Sequence, residues 1–401
     1  MGADVAARAE APRVDFDPFD LESLRDPHAA QAQLRDLGPV LWIEKYGTYG
    51  VARYEEVSAV LRNWEQFSSA GGAGMADIRK PGAWRDPGPI VDTDPPHHTS
   101  VRSTMNRIIS PRVIRGWRET FESAAEALCD EVLKEDLFDA VSDLTEAYVL
   151  KVFPEALGLK VIRENLLVIG NHNFNAIGPQ NVLFRQTEAA LDVIAEWFAK
   201  SQQQESLIPG GFGELIFEAE AAGDLPAGVA PAMMKTLMRG GMDTTIAGLG
   251  NALWLLAEHS DQWATIKANP LLVRDAFEEA LRLESPIQSY FRTTSGRVEL
   301  SGLVLEPDTK IQLFIGAANR DPRRWSDPDR FDVARKPIGQ LAFGAGIHVC
   351  VGQMIARLEA ECLLTAFVRR VSRMQVVGEA RHRLNNTLRT PDTLPLRIER
   401  T

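Results

Sequence analysis

Cys350 stands in the run Phe343 to Gly352, FGAGIHVCVG. Gly344, Gly346 and Gly352 admit backbone conformations and close approaches that a β-carbon would block. A cysteine held in such a loop, with backbone N–H groups free to face its sulfur, can be kept as a thiolate. Thiolates are metal ligands or nucleophiles. His348, two residues earlier, makes a poor chelate with it unless further ligands converge. A second constellation is Gly240-Gly241-Met242-Asp243-Thr244-Thr245. Adjacent glycines in helical sequence cost about 1 kcal/mol each relative to alanine. They either break the helix or leave room for a flat ligand or small gas against the backbone. Asp243 and Thr244 would then offer a carboxylate and a hydroxyl able to pass protons into that space. Glu279 and Arg282 stand three apart on a helical pattern, so they share a face and can pair. His98 and Arg102, four apart, present two donors on one helix face.

The elements that must position these groups are mostly helical. Asp15 to Leu37 begins with a proline-punctuated turn and becomes a helix that Gly38-Pro39 stops. Val40 to Ile43 and Thr48 to Ala52 read as short strands about Tyr46-Gly47, and Tyr54 to Leu61 as a helix. Ser68 to Gly74 is a loop, and irregular Pro/Gly-rich sequence runs on to Pro96. From Thr99 the pattern is helical for about 190 residues, and its longest periodic segment is Pro226 to His259. Short strands return between Thr293 and Ile315, followed by a Pro/Asp/Arg-rich meander from Asn319 to Lys336. The cysteine loop and a helix from Gln353 to Val371 come last. No linker divides the chain, so the expectation is one domain over residues 1–401, with residues 1–14 as a flexible start.

Composition narrows the function. The formal net charge of −11 argues against general nucleic-acid binding, which needs a basic field. Cys129, Cys350 and Cys362 are too few and scattered for a disulfide framework or a zinc cluster, so a reducing cytosol is the natural compartment. The opening MGADVAARAEAPRVDF holds no apolar leader core, and no run of about 18 apolar residues occurs. A cytoplasmic protein without a membrane span is expected.

In order and spacing these motifs resemble those of the cytochrome P450 family, over essentially the whole chain from about residue 15. The cysteine loop and Glu279-x-x-Arg282 carry the resemblance; Asp94 to Arg102, Asp243-Thr244 and Asn319 to Pro322 support it. The resemblance implies a mainly α fold with a minor β-sheet region and haem b between the long central helix and the cysteine loop. It implies Cys350 as the axial ligand to the iron, in a loop shaped by Phe343 and Gly352. His98, Arg102, Arg292 and His348 would serve the two propionates. Asp243 would be the acid and Thr244 the alcohol of the oxygen-activating pair. Glu279 and Arg282 would be a buried structural pair, with Arg324 as candidate third member. Thiolate ligation favours O–O cleavage, so the implied activity is a monooxygenase using O2. No flavin or nicotinamide fingerprint occurs, so electrons must come from another protein. Arg102, Arg107, Arg112, Arg115 and Arg357 collect where the thiolate face is expected, a docking site for an acidic ferredoxin served by its reductase.

Within that family the chain resembles the bacterial group that O-demethylates para-substituted benzoates such as 4-methoxybenzoate. The similar stretches include Tyr46 to Ala52, Phe174 to Pro179, Pro209 to Gly213, Phe291 to Thr294 and Asn385 to Arg389. By that match Phe174, Ile177, Ile287 and Tyr290 line an apolar slot for a flat ring, with Gly240 beside it. The carboxylate end departs from the group: Ser69 to Asp77 has no arginine, and the next is Arg79. Lys235, Thr236 and Arg239 are the remaining polar groups. The implied reaction is O-demethylation of a benzoate-type or alkylguaiacol-type methoxyaromatic to a phenol and formaldehyde. Hydroxylation of another small hydrophobic compound and a non-catalytic haem-thiolate sensor are the other readings. A haem-free thiol hydrolase using Cys350 and His348 would need a supporting base and an oxyanion hole.

Overall fold

The computed structural model describes residues 10–160 and 162–401. A six-stranded sheet forms one side, in the order Arg13–Val14, Leu41–Ile43, Thr48–Val51, Lys310–Phe314, Ser289–Thr294, Phe67–Ser68. Arg13 and Val14 pair in parallel with Trp42 and Ile43. The flexible start expected over residues 1–14 therefore excludes its last two residues; residues 1–9 lie outside the described residues. Ser289–Thr294 runs antiparallel to Lys310–Phe314, with Tyr290 opposite Leu313 and Arg292 opposite Ile311. Side chains alternate faces along a strand, so Tyr290 and Arg292 emerge together on one side. That side is the wall of the large internal cavity.

The periodic stretch Pro226 to His259 is two helices, Val229–Gly240 and Asp243–Glu258, broken at Gly241-Met242. The two glycines do different work. A β-carbon on Gly241 would lie 2.4 Å from Phe153 Cζ, so Gly241 allows the chain to pass close to Phe153. Gly240 has open space where its β-carbon would be and lines the cavity. Asp243–Glu258 is buried on nearly every face, as its run of Ile246, Ala247, Leu249, Ala252, Leu253 and Leu256 requires. It packs on Val273–Glu284 and Gln353–Arg370, within a core that also takes in Arg118–Val132.

Gln353–Arg370 starts directly after the cysteine loop and matches the expected last helix. Gly344 and Gly346 adopt φ of 73° and 69°, the left-handed region that favours glycine. A β-carbon on Gly346 would also sit 2.6 Å from Leu61 O, so this loop is pressed against the end of the Tyr54–Arg62 helix. Among the described residues, no helix is long and apolar enough to cross a membrane.

Candidate functional site

The cavity between the Val229–Gly240 and Asp243–Glu258 helices, the Ser289–Thr294 strand and the cysteine loop encloses about 1790 Å³, its open mouth included. Cys350 lies on its floor, where its backbone N–H donates to Phe343 O at 2.8 Å. Burial pushes the Cys350 thiol up, while N–H groups of Gly352 and Gln353 and the guanidiniums of Arg102 and Arg357 pull it back. Among the described residues, no three His, Cys, Asp or Glu side chains converge as a metal cage. Cys350 thus stands outside any such cluster among the described residues.

Phe343, Gly352, Arg102, Arg292 and His348 line the same cavity. Arg102 Nη1 donates to Val349 O at 2.6 Å, and Arg292 Nη1 to Phe291 O at 2.8 Å, which aligns both guanidiniums along the rim. His98 stands behind His348, with ring centroids 4.4 Å apart. None of the four buried ring nitrogens makes a hydrogen bond, His348 Nε2 standing 3.8 Å from Asp94 Oδ1, and burial pushes His98 down to about 4. Buried polar atoms of this kind are costly unless something pairs with them. A ligand with acidic groups at this rim would do so.

The opposite wall brings together every residue expected for the substrate: Phe174, Ile177, Thr236, Arg239, Gly240, Ile287 and Tyr290. Thr244 also lines the cavity, its hydroxyl donating to Gly240 O at 3.0 Å. Asp243 does not line it; it is buried behind the wall, and burial pushes its carboxyl up to about 7. Arg383 opposes that shift and Glu146 adds to it.

Among the cavity residues that escaped the sequence reading, two carry buried ionisable groups with partnerless atoms. Arg85 is nine-tenths buried with its Nη1 lacking a hydrogen-bond partner, 3.5 Å from Asp92 Oδ1. Arg79, the first arginine after the Ser69 to Asp77 stretch, is engaged outside the cavity by Asp77 and Asp308. Lys235 and Arg239 share Asp86, at 2.6 and 3.3 Å; Arg239 reaches the cavity and Lys235 does not. The second is Glu359, whose two carboxyl oxygens are buried without partners and whose carboxyl burial pushes well above the carboxylate range.

Glu279 and Arg282 form the buried pair, Arg282 Nε to Glu279 Oε2 at 2.8 Å and Nη2 to Oε1 at 2.9 Å. The third member is Arg335, whose Nε meets Glu279 Oε1 at 2.8 Å, and not Arg324. Arg324 lies over the Tyr54 and Trp325 rings and donates to Ile338 O, on the outer side of the meander. Of the arginines expected to dock a ferredoxin, Arg107 pairs with Asp224, and Arg357 is held by Glu278 and Gln353 over the Phe343 ring. Arg112 and Arg115 are exposed, with no ion-pair partner among the described residues, on the short Pro111–Gly116 helix beside Ile355.

This fold and cavity define the class: the chain belongs to the cytochrome P450 family, whose model, described as Cytochrome P450, matches residues 260–387. Among curated proteins the chain is similar to Cytochrome p450 CYP199A2 of Rhodopseudomonas palustris, 43% identical over 392 residues, covering 97% of this chain and 95% of that protein. It is 29% identical to Cytochrome P450 107B1 of Saccharopolyspora erythraea, over 96% of this chain and 98% of the relative. The solved structure of CYP109Q5 from Chondromyces apiculatus superposes with a TM-score of 0.80 at 31% identity, covering 96% of this chain and 98% of that one. Cytochrome P450 CREJ in complex with (4-ethylphenyl) dihydrogen phosphate superposes with a TM-score of 0.84 at 23% identity, covering 96% and 99%, a likeness of fold.

The enzyme is therefore a cytochrome P450 monooxygenase, an oxidoreductase that uses haem b with an axial cysteine thiolate, O2, redox partners and a small-molecule substrate. The residues present fit that cofactor. A cysteine sulfur lies on the floor, glycine leaves the facing helix open, and partnerless histidine nitrogens and two guanidiniums stand at the rim.

Proposed function

We propose that the enzyme O-demethylates a para-substituted methoxyaromatic whose para group is an anion of the benzoate type. The observation that carries this reading is Arg85, a buried cation with a partnerless Nη1 at the edge of an apolar slot. Arg85 pairs with Asp92 and Lys235 and Arg239 with Asp86, three cations to two carboxylates, so this end of the slot favours a monoanion. Phe174, Ile177, Ile287 and Tyr290 cover the ring faces, and Thr236 adds a hydroxyl near the polar end. An anion fixed there directs the opposite end of the ring toward the floor. Cys350 would ligate the haem iron, with Phe343 and Gly352 shaping its loop; His98, Arg102, Arg292 and His348 would hold the propionates.

Bound haem supplies oxygen reduction and attack on the methyl C–H bond. The chain's residues hold the methoxy carbon over the floor, exclude water with the apolar slot, and supply protons. The Thr244 hydroxyl is the group at the wall, and Asp243 behind it is the acid. The hydroxylated methyl is a hemiacetal, which collapses to a phenol and formaldehyde.

The test is a spin-state titration with 4-methoxybenzoate, a 4-alkylguaiacol and 4-methoxytoluene, followed by formaldehyde assay. The benzoate should bind tightest. Replacing Arg85 by leucine should weaken it about 10- to 100-fold, the worth of hydrogen bonds to a charge, while leaving the neutral ligands within about twofold. Tighter binding of a neutral ligand by the unsubstituted enzyme would sink the anionic assignment.

Electrons, in this reading, arrive from an acidic ferredoxin at the exposed Arg112 and Arg115, in the cytoplasm. Arg112→Glu with Arg115→Glu should lower the ferredoxin association rate about tenfold or more at low salt, converging with the unsubstituted enzyme as salt rises. Stopped-flow reduction measures it, and substrate titration should be unchanged. Equal rates at low ionic strength would place docking elsewhere.

A further inference from the structure

Asp243 sits beside Thr244 in the chain but faces another way. Thr244 and Thr245 line the cavity; Asp243 does not. Its carboxyl occupies a notch in the Arg163–Asn175 helix at Gly170. A β-carbon on Gly170 would lie 1.1 Å from Asp243 Oδ2 and 2.3 Å from Cγ, where real β-carbons essentially never approach within 3.0 Å. Nothing in the backbone calls for glycine, because Gly170 lies inside a helix and is absent from the positive-φ glycines. There, glycine costs about 1 kcal/mol relative to alanine. Its missing side chain is filled by the carboxyl of another helix.

Beyond the notch lies charge that reaches the surface. Glu146 Oε2 accepts from Arg163 Nη2 at 2.9 Å, and its Oε1 accepts from Arg383 Nη2 at 3.4 Å. The Arg163 side chain is 40% exposed, and Arg383 also pairs with the partly exposed Asp392. Arg383 and Glu146 are the charged groups whose fields reach Asp243. The carboxyl thus stands between the cavity wall and an ion-pair cluster open to water.

We propose that Gly170 is a positioning residue for proton delivery, kept without a side chain so that Asp243 is seated between the Thr244 wall and the Glu146–Arg383 pair. The proposal rests on the reading of Asp243 as the acid of the reaction. From this seat the carboxyl gives its proton toward the Thr244 hydroxyl and regains one from water on the Glu146 side. One O–H bond breaks as another forms, and no residue changes oxidation state. Burial pushes the seated acid up to about 7, so near neutral pH both its protonated and its ionised forms are populated, which suits a group that gives and regains a proton.

The test is the coupling of the haem-loaded enzyme: formaldehyde formed and peroxide released per reduced nicotinamide consumed, with a ferredoxin chain. Gly170→Ala, which must displace the carboxyl, should lower coupling about five- to tenfold, with peroxide in place of product. The substrate spin shift and the carbon monoxide spectrum should be unchanged. Asp243→Asn should uncouple similarly, and adding Gly170→Ala to it should change coupling less than twofold. A general packing defect would instead add in both backgrounds and overturn the proposal, as would full coupling in Gly170→Ala. Asp243→Glu carries the test if Gly170→Ala yields no haem-loaded protein: the acid is kept but overfills the notch, so full coupling there overturns the seat. Full coupling in Asp243→Asn defeats the underlying reading of Asp243, whereas uncoupled Asp243→Asn with coupled Gly170→Ala defeats the role of Gly170 alone.

Discussion

Replacing Glu279 by leucine is expected to destabilise the protein by about 3–5 kcal/mol, because it strands two buried guanidiniums. Glu279 and Arg282 are both fully buried, and the Arg335 side chain is 14% exposed. Each charge is tolerated there only through the others and through carbonyl acceptors. Arg282 Nη1 donates to Asn319 O and Pro328 O, and Arg335 to Ser326 O and Asp327 O. The triad therefore gathers the meander beneath the cysteine loop. Asn319 extends the tie, since its side-chain oxygen accepts from Leu341 N just before Phe343. Loss should appear in urea unfolding and, because the loop loses its support, in a lower haem-to-protein ratio. Arg324→Ala is the contrast. Arg324 is exposed and lies over aromatic rings, so its removal should cost about 1 kcal/mol or less. Equal costs for the two substitutions would remove the triad from its supporting role.

That contrast also shows where the sequence stopped being readable. Glu279 and Arg282 are three apart on one helix, so their pairing follows from local geometry. The third member does not, because Arg323, Arg324, Arg330 and Arg335 all lie in one meander without periodicity. Only the path of the chain decides which arginine points inward. Arg85 was missed for the same reason: it lies in the irregular run between Phe67–Ser68 and the His97–Ile108 helix. Hydrogen bonds from Met75 N to Ile177 O and from Trp84 Nε1 to Ala176 O tie that run over the cavity. No pattern in the sequence announces such a tie.

Elements with a period or a forced backbone geometry were legible. The Tyr54–Arg62 and Gln353–Arg370 helices fall close to their expected bounds, as do the Leu41–Ile43 and Thr48–Val51 strands. At Gly240-Gly241 the residue types allowed a break or an opening, and the structure has both. The direction of Asp243 could not be read from Asp-Thr-Thr, because it depends on a glycine seventy-three residues earlier. A lone Gly170 inside a helical pattern was the available signal, since an internal glycine at that cost asks for a packing reason.

Cys350→Ser should abolish turnover while leaving much of the fold in place. The substitution removes no buried volume of consequence, so the loop and its Phe343 O hydrogen bond have no steric reason to move. What changes, with Cys350 proposed as the iron ligand, is the donor atom. A serine hydroxyl remains protonated at neutral pH and binds iron far more weakly than a thiolate, whose electron donation favours O–O cleavage. Arg102, Arg292 and His348 still line the cavity, and His98 still stands behind His348, because the substitution touches none of them. Haem should therefore still bind, but more weakly, and the reduced carbon monoxide complex should lose the red-shifted Soret band of thiolate ligation. Product formation should fall by at least about a thousandfold, comparable to removing an essential catalytic group. Cys129 and Cys362 are buried away from the cavity, and burial pushes both thiols up to about 12, so neither can substitute. Retention of the thiolate band in Cys350→Ser would move the ligand to another sulfur. Retained band and turnover together would overturn the assignment of the cavity floor.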